Sequence, residues 1–278
     1  MLTKLLIVSN ILLLAFSLVV GWKVFQVLRN RRLRQWGMLH SPIPEMPVEQ
    51  FDEAFEAGPF GPTTRAEVSF IAMGSKPVVG GTSDFEGWVL AVFAKGAKLM
   101  FEIGTCAGKT TYLWARNLPP DGKVVTLTLP PDQTETYQHS SGDNREAARR
   151  ATEESSFTRF LYNGTDVEHK VVQLYGDSKT FDETPYIGQC DVVFVDGSHA
   201  YSYVVSDGEK ALRMVKPGGV VLWHDYTGLV PDVVRALDEL SKRLPLVRLT
   251  GTTIVAHRRP VGAGVETRSA TGAVAAAR

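Results

Sequence analysis

Five short apolar runs constrain this chain more than any other feature: KLMFEI at 98–103, KVVTLTL at 123–129, KVVQLY at 170–175, DVVFVD at 191–196 and GVVLWHD at 219–225. Each reads as a strand, and helical stretches separate them, starting at Lys109, spanning about 144–161, and starting near 201 and at Pro231. That alternation predicts a parallel sheet covered by helices on both faces. The runs are almost continuously apolar, as strands buried on both sides should be. Two last runs, LPLVRLT and TTIVAHR, are joined by the turn residue Gly251 and predict an antiparallel hairpin that closes the sheet. From Arg259 the tail is rich in glycine and alanine and is expected to be disordered.

The amino terminus is different in kind. From Leu5 to Trp22 there is no charge, and with Lys23 snorkelling the apolar run continues through Leu28, long enough to cross a bilayer. A cleaved signal peptide is the rival reading, but the run is long for an h-region and no small-x-small site precedes the basic cluster. Arg29, Arg31, Arg32 and Arg34 follow the run, against Lys4 before it, so the positive-inside rule turns the rest of the chain to the cytoplasm. SPIPEMP at 41–47 reads as a stiff linker that does not pack as a regular element. Residues 48–97 read as helical with interruptions, and Ser83-Asp84-Phe85-Glu86 forms a capping box ahead of GWVLAVFAKG.

Composition removes several classes of function. The 278 residues, 44% of them apolar, suffice for one large domain with a substantial core. Lysine plus arginine balance aspartate plus glutamate at 30 each, so no global field favours nucleic acid, and none is expected as a partner. The two cysteines, Cys106 and Cys190, form no CxxC pair and read as buried free thiols in a reducing compartment. Trp36 and Trp114 are assigned to packing.

The first strand runs into GTCAGKTT, Gly104 to Thr111, whose Gly108-Lys109-Thr110 also closes a nucleotide-phosphate loop. That loop needs a glycine five positions before Gly108, where this chain has Ile103. A β-branched residue suits the end of a strand better than a tight turn. Glu102, just before it, is an acid where a polyphosphate would want none, and it suits a ligand carrying positive charge.

Ligands of parallel sheets bind beyond the carboxyl ends of the strands. Those ends carry Glu102-Ile103-Gly104, Thr128, Gly176-Asp177-Ser178, Asp196-Gly197-Ser198-His199 and His224-Asp225. Gly104 and Gly108 suit a ligand-binding turn as well as an ordinary one, Asp177 either caps a helix or serves the site, and His199 is structural or catalytic. His224 and Asp225 adjoin at a strand end and read as chemical.

The segments FEIGTCAGKTT, GDS, DVVFVDGSHAYSYVVSDGEKALRMVKPGGVVLWHDY and the late GTTIV resemble class I S-adenosylmethionine-dependent methyltransferases, over roughly residues 80–257. Within that superfamily they look most like the small-molecule group that includes macrocin-type O-methyltransferases and cephalosporin hydroxylase-like proteins. The resemblance implies a Rossmann-like, doubly wound, mostly parallel seven-stranded sheet with an antiparallel last strand, here preceded by one transmembrane helix. It divides the chain into an anchor and basic flank at 1–38, a linker and helical region at 39–80, a methyltransferase domain at 81–258 and a tail at 259–278. It implies S-adenosylmethionine as cofactor, held by Glu102, Gly104, Thr105 and Gly108 at its methionine end, Asp177 and Ser178 beside adenine, and Asp196 near methionine or the acceptor. Relatives usually end the second strand with an acid that grips the ribose, where this chain has Thr128; Asp132 is the substitute if its loop folds back.

The mechanism this predicts is methyl transfer from the sulfonium to an oxygen, or less readily a nitrogen, of a small-molecule or lipid-linked acceptor. His199, His224 and Asp225 are the candidates for handling the acceptor's proton. A divalent cation on Asp196 and Asp225 is a minority reading. The rivals are a nucleotide hydrolase, a dinucleotide-dependent dehydrogenase, against which the missing GxGxxG counts, and a membrane-tethered scaffold that keeps the fold without turnover.

Overall fold

The computed structural model describes residues 2–39, 41–59, 61–69, 72–73, 76–77 and 82–262. Helix α1, Leu2–Leu39, contains the apolar stretch Ile7–Arg32, 26 residues of mean hydropathy 2.1 with none of it buried. By length and composition it can cross a membrane or serve as a signal sequence.

The domain is built on strands β1 (Glu45–Met46), β2 (Leu99–Ile103), β3 (Lys123–Thr128), β4 (Val171–Tyr175), β5 (Cys190–Val195), β6 (Val215–Trp223), β7 (Val247–Leu249) and β8 (Val255–Arg258). They form one eight-stranded sheet in the order β1-β7-β8-β6-β5-β2-β3-β4. Strand β8 runs antiparallel to β6 and β7, whereas the pairs β6/β5, β5/β2, β2/β3 and β3/β4 are parallel. The strand order reverses beside β2, which places the ends of β2 and β5 at the crevice where such sheets take ligands.

Alternation of side chains divides the core into two layers. Phe101, Ile103, Val193, Val195, Val221 and Trp223 face helices α5 (Tyr201–Met214) and α6 (Pro231–Leu240). Met100, Val124, Val192, Phe194, Val220 and Leu222 face α2 (Asp84–Ala94) and α3 (Lys109–Asn117). Full burial of such side chains is worth about 1.5–3 kcal/mol each, so a charge placed at Val193 would break the first layer. Helix α2 starts on the expected capping box, with Ser83 accepting from the Glu86 N–H and Glu86 accepting from the Ser83 N–H. Helix α3 starts after Gly108 and stops at Leu118, whose extended backbone precedes Pro119. Helix α4, Arg145–Glu154, is capped by Asn144.

Four expectations need correction. SPIPEMP is not a free linker: Ile43 is 1% exposed, the Arg248 N–H donates to the Pro44 carbonyl, and Glu45–Met46 pairs with β7 as an eighth strand. The prolines leave carbonyls free to accept, which is all an edge strand of this length requires. Residues 48–97 are mainly turns and two-residue bridges, with α2 and the single turn Val48–Phe51 as their helices among the described residues. The helix expected over 144–161 ends at Glu154, after which Ser155 and Ser156 bond back to Ala151 and Glu153. Strand β4 lies at the sheet edge, leaving Val172 and Tyr175 exposed rather than buried on both faces. The tail from residue 263 onward lies outside the described residues.

Candidate active site

The turn after β2 approaches the turn after β5 so closely that only glycine fits. Gly104 has φ 107°, and a Cβ there would lie 2.2 Å from the Asp196 carbonyl oxygen. Beyond this seam opens a cavity of about 520 Å³, counted out to solvent. Of the residues predicted to hold a cofactor, Gly104, Thr128, Asp177, Ser178 and Asp196 line it together. Glu102, Thr105 and Gly108 do not.

The reason is side-chain parity. Glu102 shares the face of Met100, so it points into the α3 layer, where its carboxylate accepts from the hydroxyls of Thr111 and, at 2.6 Å, Thr126. Thr126 meets the Thr105 hydroxyl at 2.7 Å, which draws Thr105 into the same buried network. Burial raises the Glu102 carboxyl to about 8, against the lowering effect of the two hydroxyls. Gly108 packs against Phe160 and Tyr162. Lys109 donates to the Thr82 carbonyl at 2.8 Å, and neither the lysine nor Thr110 of the Gly-Lys-Thr sequence lines the cavity. Asp132 is exposed and outside the lining, and Thr128 stands at the end of β3 with a hydroxyl that reaches only the Leu129 carbonyl, at 3.5 Å.

One wall is aromatic. Tyr137 and Tyr203 stack with centroids 4.5 Å apart, the Tyr203 hydroxyl donates to Asp177 at 2.9 Å, and Lys179 lies 4.0 Å over the Tyr203 ring. Asp177 also accepts from the Lys179 N–H, but no helix starts there, so this bond closes a turn rather than capping a helix, and the residue lines the site. Ser178 donates to buried Asp207 at 3.1 Å. The opposite wall comes from α4, through Ala151, Glu154 and Ser155.

At the ends of β5 and β6 the three residues predicted as catalytic meet. His199 Nε2 lies 2.8 Å from Asp225 Oδ2, and His224 Nδ1 lies 3.1 Å from Asp196 Oδ1. Asp225 adopts φ 60°, a left-handed conformation that turns its carboxylate back toward His199. Burial works against charge on both imidazoles, yet the facing carboxylates hold both above the ordinary histidine value, led by Asp225 for His199 and Asp196 for His224. Asp225 is brought down to about 2 because the two histidines outweigh its burial. His199 Nδ1 is buried without a partner among the described residues.

Glu86 was legible only as a helix cap. It also stands 3.7 Å from His224 Nε2, and its two oxygens accept from Ser83 and Thr253. Burial raises its pKa, but His224 and these donors prevail and hold it well below the carboxylate range. Tyr137, Tyr203, Glu154 and Cys106 were likewise missed as lining residues. Burial, then Glu154, pushes the Cys106 thiol up to about 12, which makes it a neutral wall residue rather than a nucleophile.

Two ligand classes can be weighed against these residues. Among the described residues no lysine or arginine lines the cavity, whereas Glu154, Asp177 and Asp196 do, which fits a ligand with positive charge and opposes a polyphosphate. Donor atoms of Asp196, His199 and Asp225 lie within 4.8 Å of one another, close enough for one divalent cation, although the His199–Asp225 contact would have to open.

Residues 101–226 match the family described as "Methyltransferase domain". No curated protein matches the chain. Among solved structures, the chain is similar to the O-methyltransferase TomG from Streptomyces achromogenes, involved in tomaymycin synthesis and in complex with SAM. The identity is 24%, over 64% of this chain and 82% of that one, with a TM-score of 0.42. It is also similar to the SAH-bound Podospora anserina methyltransferase PaMTH1, at 17% identity over 64% and 79% of the two chains and a TM-score of 0.46. A third is the O-methyltransferase from Bacillus cereus in complex with SAH, at 21% identity over 65% and 84%, with a TM-score of 0.43.

Proposed function

We propose that this chain, whose residues 101–226 match a methyltransferase domain, is a class I S-adenosylmethionine-dependent methyltransferase that O-methylates a small-molecule or lipid-linked acceptor. The observation that carries the reading is the buried His199–Asp225 pair at 2.8 Å, beside a cavity walled by acids. When bound, S-adenosylmethionine supplies a methyl group already activated on a sulfonium, which leaves the protein the tasks of alignment and proton removal. Asp225 holds the Nε2–H of neutral His199, so Nδ1 keeps the lone pair that accepts the acceptor's proton. An alcohol becomes a good nucleophile only as its proton leaves, whereas a neutral amine attacks without that help; a buried base therefore favours oxygen. His224, held between Asp196 and Glu86, positions Asp196 rather than exchanging protons with the acceptor.

On the cofactor side, Gly104 lets the backbone approach the methionine end, Asp196 faces that end and the acceptor, and Asp177 and Ser178 with the Tyr137–Tyr203 wall take adenine. Thr128 offers the ribose one hydroxyl. Titration calorimetry with S-adenosylmethionine, S-adenosylhomocysteine and magnesium ATP tests the reading: binding of the first two alone supports it, and binding of ATP alone overturns it. Because the imidazole acts as a base and its pKa is raised, turnover is expected to rise with pH through a value above the ordinary 6.5. A flat profile there removes His199 as base.

The clustering of Asp196, His199 and Asp225 favours a second reading, in which a divalent cation orients the acceptor oxygen. Full turnover after chelation would end it. The apolar helix α1 supports a membrane-adjacent acceptor with the domain on the cytoplasmic side, in keeping with the arginines that follow the apolar run. Equal turnover on vesicle-bound acceptors after deletion of residues 1–38 would refute the membrane part.

A further inference from the structure

Glu154 differs from every other acid around the cavity. Asp177 accepts from Tyr203, Asp196 from His224, and Asp225 pairs with His199, whereas Glu154 lines the cavity half-buried with no hydrogen bond or ion pair to a described residue. It lies at the carboxyl end of α4, where unpaired carbonyls add their own negative potential. The carboxyl end of the helix and the unpaired carboxylate therefore point the same way. The position is also informative. Cys106, on the turn after β2, feels Glu154 more than any other charge, while Glu154 in turn feels His199, Asp196 and Asp225. Glu154 thus lines the same cavity as Gly104 and Cys106, on the turn that would hold the methionine end, and as Asp196, which neighbours the pair that would receive the acceptor's proton. Burial and the neighbouring carboxylates raise its pKa, and a cation beside it would lower it again.

We propose that Glu154 is the counter-charge for the sulfonium of S-adenosylmethionine, a positioning residue that makes the site prefer the charged methyl donor over the neutral thioether product. The sequence-based assignment of that duty to Glu102 is thereby transferred to a residue more than one helix away, because Glu102 faces the α3 layer. The inference rests on the cofactor reading above and deepens it. S-adenosylmethionine and S-adenosylhomocysteine differ by one methyl group and its positive charge, so their affinity ratio isolates the effect.

The test is titration calorimetry of the detergent-solubilised full chain with both compounds, for wild type, Glu154→Gln, Glu154→Asp and the exposed control Glu153→Gln. Glu154→Gln is expected to weaken S-adenosylmethionine on the order of tenfold and S-adenosylhomocysteine by less than about twofold. Glu154→Asp keeps most of the preference, and Glu153→Gln changes neither affinity. Should Glu154→Gln fail to fold, a Glu154→Asp protein that has lost the preference overturns the proposal by itself. An unchanged ratio, or a parallel loss of both affinities, also overturns it while leaving the cofactor reading intact. Wild type that binds neither compound sinks both.

Discussion

Two carboxylates stand near the carboxyl ends of the parallel strands on either side of β5, and they are opposite in chemistry. Glu102 on β2 is surrounded by threonine hydroxyls and the apolar layer under α3, and its carboxyl is raised to about 8. Asp225, just after β6, is partly exposed, and two imidazoles bring it down to about 2. Burial acts in the same direction on both. What differs is the partner: a hydroxyl gives one neutral hydrogen bond, whereas an imidazolium gives a charge as well. The first carboxylate is therefore a neutral strut, and the second is a charged group able to orient a base.

The sharpest way to break this contrast is Asp225→Asn. Asparagine tolerates the φ of 60° and keeps the shape, but it removes the charge that holds His199. Turnover is expected to fall about 10²–10⁴-fold with cofactor affinity within a fewfold; steady-state kinetics beside calorimetry checks both. Retained turnover would mean that the pair is structural.

Next comes the seam between the two regions. Gly104→Ala drives a Cβ to 2.2 Å from the Asp196 carbonyl at a φ that suits glycine, and about 3 kcal/mol of stability should be lost. A thermal melt close to wild type would show that the β2 and β5 turns part without cost.

Glu102→Gln probes the neutral strut. An acid whose folded pKa is raised from 4.5 to about 8 binds its proton more tightly when folded, so stability is full below pH 4.5 and declines as pH rises toward 8. The glutamine variant should lose that decline and exceed wild type at pH 8 by roughly 1–3 kcal/mol in denaturant titrations. A wild type equally stable at pH 5 and pH 8 would contradict the assignment.

The smallest effect is expected at the far end of β3. Thr128→Asp supplies the carboxylate that the family resemblance leads one to expect beside the ribose, and should tighten S-adenosylmethionine by about two- to fivefold. No gain would mean that the acidic cavity already opposes another negative charge.

The alternation of apolar runs was sufficient to predict a parallel sheet, and the GTTIV hairpin its antiparallel closure, because both signals are local and repeat along the chain. The strand ends were likewise readable: Gly104, Thr128, Asp177, Ser178 and Asp196 come from four different strands and meet in one cavity, since a parallel sheet brings all its carboxyl ends to one edge. Glu102 failed for a reason present in the sequence itself. In a strand the face is set by parity, and Glu102 shares parity with Met100, not with Ile103 at the cavity. Glu86 and Glu154 had no such signal. Each lies on a helix whose local pattern is that of a cap or a solvated face, and only the packing of α2 and α4 brings them to the site.

The sequence by itself determined the class of sheet, the edge at which chemistry is possible, the capping of α2 and the failure of Gly-Lys-Thr as a phosphate loop. These depend on backbone geometry and on spacing within a few residues, which the chain carries wherever it folds. The tertiary structure alone decided which charges face one another: His199 with Asp225, His224 with Asp196 and Glu86, and Glu154 with no hydrogen-bond or ion-pair partner among the described residues. Those relations span strands and helices far apart in sequence, and a carboxylate's charge state follows from its neighbours in space, not from its place in the chain.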